Sequence, residues 1–288
     1  MNLSRDNTLL KKRVFTTMKE KKLAGKVIVV TGATGILGYS FNKALAEQGA
    51  IVGIMGRNAI VAEERAAEIN AAGGQAIALV TDVLNEQQLQ TSRDMLLERY
   101  GKIDGLVNAA GGNMPKAVVQ PADDIFQLDM DALRKVLDLN LFGTLLPTQV
   151  FGAAIVHTAG RGSIVNISSV SAHAALTRVL GYSLAKSSIE GYTRWFAVEL
   201  ANRYKDALRM NAIVPGFFLT EQNRALLTNE DGSYTARGNS VINQTPFKRF
   251  GRPDELTGAL TWLLSDDASF VNGTSVMIDG GFLAFSGV

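Results

Sequence analysis

Short, continuous apolar runs rich in β-branched residues recur along the 288-residue chain, separated by longer stretches of helical period. The runs near 27–31, 51–55, 76–80, 104–107, 163–167, 209–214 and 274–278 read as strands. The stretches near 36–48, 59–71, 85–99, 129–157, 183–203 and 254–264 read as helices. Leu37, Phe41 and Leu45 recur every four residues, the stripe a helix lays on a sheet. Asn58 and Asn85 suit helix N-caps, and Pro253 suits a first turn before Asp254 and Glu255. Apolar strands that alternate with helices predict an α/β fold with one parallel seven-stranded sheet, doubly wound and covered on both faces. Residues 216–245 break the rhythm: they are polar, carry Gly232 and Gly238, and read as a long excursion with a short helix at about 220–228. Excursions of this length in compact domains are often lids or binding loops.

Composition narrows the class. With 47% apolar and 19% charged residues, six prolines and no low-complexity stretch, the chain suits one large domain over 23–288 preceded by an extension, 1–22. A net charge of +2 argues against a dedicated nucleic-acid surface. Cysteine is absent, which rules out disulfide and thiolate-metal chemistry and fits a reducing cytoplasm. His157 and His173 are too few and too far apart for a zinc site, so no metal is expected. The first 26 residues hold eight Lys/Arg against Asp6 and Glu20, with no apolar core of a secretory signal. No run reads as long enough to span a bilayer, so no membrane partner is expected. The extension reads as solvated, or else as a basic helix at about Thr8–Lys21 packed on a neighbouring subunit.

The segment Thr31–Ser40, TGATGILGYS, places Gly32, Gly35 and Gly38 between the first strand and the first helix. Gly32 permits a sharp turn, while Gly35 and Gly38 let backbone approach a pyrophosphate and let the helix approach the sheet. Thr34, Ile36 and Leu37 complete this candidate dinucleotide loop. An acid that would bond an adenosine 2′-hydroxyl is missing from the end of the second strand: Gly56 stands there, followed by Arg57 and Asn58. Arginine pairs with a 2′-phosphate, which favours NADP over NAD. After the third strand Asp82, beside Val83, could bond the adenine amino group or cap a turn. After the fourth, Asn108-Ala109-Ala110-Gly111 leaves room for a cofactor, and Asn108 can tie neighbouring strands together.

Tyr182 and Lys186 stand four apart on a predicted helix and share one face. A lysine beside a phenol lowers its pKa from about 10, by at most about three units at an effective dielectric near 20. Ser169 ends the fifth-strand exit NISS, and Asn140 falls on the buried stripe of Leu133 and Leu137. Pro215-Gly216, Phe218 and Thr220 follow the sixth strand, and IDGG occupies Ile278–Gly281.

In this order and spacing the motifs resemble the short-chain dehydrogenase/reductase family across about residues 23–288. The resemblance implies a Rossmann-like domain, NAD(P)(H) as cofactor, and Asn140, Ser169, Tyr182 and Lys186 as a catalytic tetrad. It implies cofactor contacts from the loop residues above, from Pro215, Gly216 and Phe218, and from Thr220 at the nicotinamide carboxamide. It also implies a homotetramer built through the helices near 129–157 and 183–203. The GxxGxxG loop departs from the pattern and is typical of the nucleotide-sugar branch, but the chain lacks that branch's extra C-terminal length.

AGGNMPKA at 110–117, NLFGTLLPTQVF at 140–151, PGFFLTEQNRALLTN at 215–229 and the ending FSGV look closer to the D-mannonate oxidoreductases (fructuronate reductases) within the family. That resemblance implies a sugar-acid substrate whose carboxylate needs donors. Asn113, Lys116, Ser171, Arg178 and Arg224 are the candidates, since loops at strand C-terminal ends surround the ligand. Related chemistry on another sugar acid or polyol, such as gluconate 5-dehydrogenase activity, or an inactive dinucleotide-binding regulator, are the alternatives.

Overall fold

Alternate residues of the first strand go to opposite apolar layers. In β1 (Val27–Thr31), Ile28 and Val30 enter one layer while Val27 and Val29 enter the other. The same alternation separates Leu106 from Val107 and Ile164 from Val165, so the central strands must be apolar on both faces. The computed structural model describes residues 21–220, 224 and 226–287. The basic helix expected from Thr8 falls outside these, as does much of the one expected at 220–228.

All seven expected strands form. β2 (Ile51–Gly56), β3 (Gln75–Val80), β4 (Gly105–Asn108), β5 (Gly162–Ile167), β6 (Leu208–Pro215) and β7 (Ser275–Ile278) join β1 in one parallel sheet ordered 3-2-1-4-5-6-7. This is a single-domain Rossmann-like fold. The order reverses between β1 and β4, opening a crevice at their C-terminal ends where such sheets bind ligands.

The first helix, α1 (Ile36–Glu47), buries Phe41 and Leu45 with Leu37 packed beside them, as its four-residue stripe predicts. Both expected asparagine caps form: Asn58 accepts from Val61 N at 3.2 Å to start α2 (Ala59–Ala71), and Asn85 from Gln88 N at 3.0 Å to start α3 (Glu86–Tyr100).

The helix expected over 129–157 is interrupted. It comprises α4 (Met130–Leu137), a π turn over Asp138–Phe142, and α5 (Gly143–Thr158) with Pro147 inside it. The wider turn carries Asn140, which is fully buried. By length and composition this 29-residue helix could cross a bilayer, contrary to the sequence reading. Val150, Phe151, Ala154 and Ile155 instead pack it into the apolar layer of Val27 and Val29, the position of a core helix.

Beyond β5 runs α6 (Leu180–Tyr204), and α7 (Ala236–Gln244) and α8 (Thr257–Leu264) follow β6. Helix α7 was not expected from the sequence, because its polar residues and Gly238 read as loop. Thr235 caps it by accepting from Gly238 N at 3.0 Å, and Val241 and Ile242 pack with Leu227 and Phe250 in a small separate apolar cluster. Tertiary burial outweighs weak local propensity there. A 3-10 turn, Pro253–Leu256, leads into α8, which accounts for the expected start near 254.

A buried polar ladder joins the strands to the helices that carry the site. Asn108 Nδ2 donates to Asn166 Oδ1 and to Thr148 Oγ1, both at 2.9 Å, and Asn166 Nδ2 donates to Thr193 Oγ1 at 2.9 Å. This links β4, β5, α5 and α6, as the sequence reading of Asn108 anticipated. Asn108→Ala leaves buried partners unpaired, and urea unfolding should show a loss of about 1–3 kcal/mol with the m-value unchanged.

Candidate active site

A cleft of about 330 Å³ opens above the β1–β4 crevice. Its wall is formed by Gly32, Thr34, Gly35, Ile36, Leu37 and Gly38 on one side, and by Gly56, Arg57, Thr81, Asp82 and Val83 at one end. Ala109, Ala110, Gly111, Leu139 and Thr220 complete it. The glycines fit this role by what they exclude. Gly32 turns with φ +63°, and a Cβ on it would lie 2.6 Å from Ala109 O. A Cβ on Gly38 would lie 2.7 Å from Ala33 Cα, so its absence lets α1 start against the loop. Gly35 caps α1 without any side-chain hydrogen bond and no acid stands in the first turn, so the free N–H groups of Ile36, Leu37 and Gly38 suit an anionic group. The cleft thus fits a dinucleotide, its pyrophosphate at the glycine loop.

Several unpredicted residues shape this loop. Arg65 donates to Ala33 O, and to Gly35 O at 2.8 Å, while its guanidinium stacks 5.0 Å from the Tyr39 ring centroid. Thr31 Oγ1 accepts from Ala109 N at 3.1 Å and from Ala110 N at 3.0 Å, binding the two loops together. A Cβ on Gly56 would sit 2.6 Å from Thr34 Oγ1, so the threonine occupies the space where an acid would stand. No local pattern could flag these side-chain-to-backbone contacts across the sequence.

Other expected cofactor residues are not among those that line the cleft. Asn58 is spent on its cap and Asn108 on the buried ladder. Phe218 is 5% exposed and packs across Gly251, while Pro215 pairs with Ile278 and Gly216 lies against Asp279. Asp82 both lines the cleft and accepts from Leu84 N at 3.0 Å, so each half of its expected role has a basis.

Asn140 and Lys186 meet beside Gly111, and Tyr182 and then Ser169 follow from Lys186. A Cβ there would lie 2.5 Å from Asn140 Oδ1 and 3.4 Å from Lys186 Nζ, so this cleft residue is the thin wall between the two spaces. Asn140 accepts from Gly112 N at 3.0 Å and donates to Gly112 O at 2.7 Å and Val136 O at 2.8 Å. Its side chain therefore fixes the loop after β4. Ser169 is hydrogen-bonded to Tyr182 and also accepts from Ser171 N at 3.2 Å. Lys186 is 5% exposed; its Nζ donates to Ile167 O at 2.7 Å and stands 5.4 Å from the Tyr182 ring centroid.

The electrostatics differ from the sequence reading. Burial pushes the Tyr182 phenol above its ordinary value, opposed by the Ser169 hydrogen bond, and burial pushes Lys186 down to about 8. Four-residue spacing sets proximity, but the ammonium turns to a carbonyl and the low-dielectric surroundings dominate. In this state the phenol is held protonated.

Among the expected substrate residues, Asn113 Oδ1, Ser171 Oγ and Arg178 Nε are buried atoms without partners among the described residues, as is Ser183 Oγ next to Tyr182. Lys116 and Arg224 are exposed. His173 Nε2 lies 3.5 Å from the buried Glu190 Oε1, which gives it a packing role. Trp195 is exposed.

The comparisons agree with this geometry. A family model described as enoyl-(acyl carrier protein) reductase matches residues 32–283. The chain is 42% identical to an uncharacterized oxidoreductase, UxuB, of Bacillus subtilis, over 93% of this chain and 98% of that one. A crystal structure of a Haemophilus influenza protein proposed to be a D-mannonate oxidoreductase, with bound NAD, superposes with a TM-score of 0.85 at 38% identity, covering 93% of this chain and 98% of that one. A gluconate 5-dehydrogenase from Burkholderia cenocepacia in complex with NADP and tartrate superposes at 0.80 with 30% identity, covering 92% and 98%. The chain belongs to the short-chain dehydrogenase/reductase family. It is an NAD(P)-dependent oxidoreductase acting on alcohol groups.

Because Lys186 is charged in a buried place, its ionisation costs folding free energy. The cost is on the order of 3 kcal/mol from the fall of 10.5 to about 8, is fully present below pH 8, and vanishes as pH rises toward 10.5. Urea titrations should therefore show Lys186→Met at least as stable as the parent at pH 7, and without the parent's gain in stability between pH 8 and 10.

Proposed function

We propose that this protein interconverts D-fructuronate and D-mannonate, with Tyr182 as the acid/base. The observation that carries the reading is the Ser169–Tyr182–Lys186 cluster set beside Gly111 at the edge of a dinucleotide-shaped cleft. The similarity to the Haemophilus influenza structure supports the choice of sugar acid.

When bound, the nicotinamide supplies or accepts the hydride. Tyr182 Oη gives its proton to the substrate's carbonyl oxygen in reduction and takes it back in oxidation. Burial keeps that phenol protonated, the state reduction requires. Ser169 donates to the same oxygen and stabilises the charge that grows on it. Lys186, protonated below about pH 8, offsets the phenolate left behind. Asn140 positions: it holds Gly112, and through it the loop that walls the nicotinamide end. In our reading Gly32, Thr34, Gly35, Ile36, Leu37 and Gly38 hold the pyrophosphate, Arg57 a 2′-phosphate, and Asp82 and Val83 the adenine. Thr220 holds the carboxamide, and Ala109, Ala110 and Gly111 give the cofactor room.

Arg57 beside Gly56 supports NADP as the preferred cofactor, with NAD also accepted. Leu184, Trp195 and Val198 on α6 and Phe142 before α5 are exposed apolar residues, which supports a homotetramer. The missing cysteines support a cytoplasmic setting, and neither nucleic acid nor membrane is a partner in this reading.

Steady-state assays of the purified protein should show fructuronate reduced with a kcat/KM at least tenfold above that for 5-ketogluconate. The reverse order moves the protein to gluconate 5-dehydrogenase activity, a reading favoured by the Burkholderia cenocepacia likeness. Tyr182→Phe should lose about 10²–10⁴ in kcat while still binding cofactor. Preserved turnover in that variant overturns the mechanism.

Fluorescence titration should show Arg57→Ala weakening NADPH about tenfold, the loss of one charge-assisted contact, with NADH unchanged.

A further inference from the structure

We infer that Arg178 and Arg237 form a paired guanidinium clamp for the carboxylate of a hydroxy- or keto-acid substrate. The inference rests on the sugar-acid reading above and extends it to a residue, Arg237, that no sequence motif marked.

The two arginines approach the same loop from different elements. Arg178 stands four residues before Tyr182, in the loop between β5 and α6, and Arg237 stands in the first turn of α7. Arg237 Nη2 donates to Thr177 O at 3.3 Å, which seats its guanidinium against the residue next to Arg178. Arg178 is steered from the third side of the site: its carbonyl accepts from Val119 N at 3.0 Å, and its Nη2 donates to Gln120 Oε1. Three loops at the C-terminal end of the sheet therefore converge on this pair, where parallel α/β sheets place their ligands.

Three further observations point to an anion. First, neither arginine forms an ion pair among the described residues, though the Arg178 charge is close enough to help hold the Arg237 guanidinium below its ordinary pKa, after burial. Two like charges held together without a counter-charge are costly unless something negative joins them. Second, Arg178 Nε is buried without a partner among the described residues, and so is the hydroxyl of Ser171, a residue 4% exposed in the same loop. Third, Arg178 has φ +76°, a left-handed conformation that glycine would adopt with less strain. Strain held at a long cationic side chain four residues before a reacting residue marks a positioned group. A guanidinium fork matches a carboxylate in geometry, and two forks fix its orientation relative to a carbonyl several bonds away.

The test uses the full chain with its cofactor. Calorimetric titration of the NADH-loaded protein would compare D-mannonate, D-gluconate and tartrate with the neutral polyol D-mannitol and with fructose 6-phosphate. The carboxylates should bind at least tenfold more tightly than mannitol. Arg237→Ala and Arg178→Gly should each weaken them by tenfold to a hundredfold. The glycine keeps the backbone conformation while removing the charge. In turnover the loss should fall on KM for the keto acid more than on kcat, Arg237→Lys should recover part of it, and the dissociation constant of NADH should not move. If sugar acids are turned over and both variants keep parental affinity and KM, the clamp is wrong and the sugar-acid reading stands. If no carboxylate binds the parent protein, and only neutral alcohols or ketones react, both fall. If fructose 6-phosphate binds more tightly than every carboxylate, and loses that in the variants, the pair serves a phosphate and the carboxylate assignment is overturned.

Discussion

Two buried amides hold the working end of this molecule together. Asn108 and Asn166 meet across β4 and β5 and reach Thr148 and Thr193 on the two helices packed over that face. Within an apolar core such a ladder has few alternative arrangements, since any shift leaves a desolvated donor unpaired. The ladder fixes the lateral position of α5 and α6 against the sheet, and α6 carries Tyr182 and Lys186. The placement of the phenol to within hydrogen-bonding reach of Ser169 is thereby inherited from contacts that touch no ligand.

The site is built on missing side chains as much as on present ones. Gly32 and Gly38 bring the first loop against its helix and its neighbour loop, and Gly111 leaves only backbone between the cleft and the Asn140–Lys186 cluster. The π turn that carries Asn140 then spends that residue's side-chain amide on the Gly112 backbone, so two hydrogen bonds hold the residue next to the thinnest part of the wall. Burial supplies the remaining chemistry, raising the phenol and lowering the ammonium from their solution values.

The strands were legible because continuous apolar runs have few other uses, and α1 to α3 were legible through stripes and caps. Helix α7 was not, since Val241 and Ile242 gain their stabilisation from Leu227 and Phe250, which a local window does not associate with them. The π turn is a hydrogen-bond register rather than a composition, and so left no mark. Spacing brought Tyr182, Lys186, Ser169 and Asn140 together on paper, and the structure gathers the same four. It did not tell that desolvation would outweigh the lysine's charge. Phe218 also fills the core and Asn58 also starts a helix, structural duties that their positions in the sequence do not separate from cofactor contact. Arg65 and Arg237 act on carbonyls far off in sequence, a kind of contact that no motif records.

The threonine lodged against Gly56 gives the coenzyme end a two-part lock. An acidic side chain introduced at position 56 alone collides with Thr34, and a smaller residue at position 34 alone leaves an empty notch with no new partner for a ribose. Any lineage that moved between the two nicotinamide coenzymes here would have to cross one of those two impaired intermediates. Coenzyme choice at this position is thus constrained by packing inside the loop.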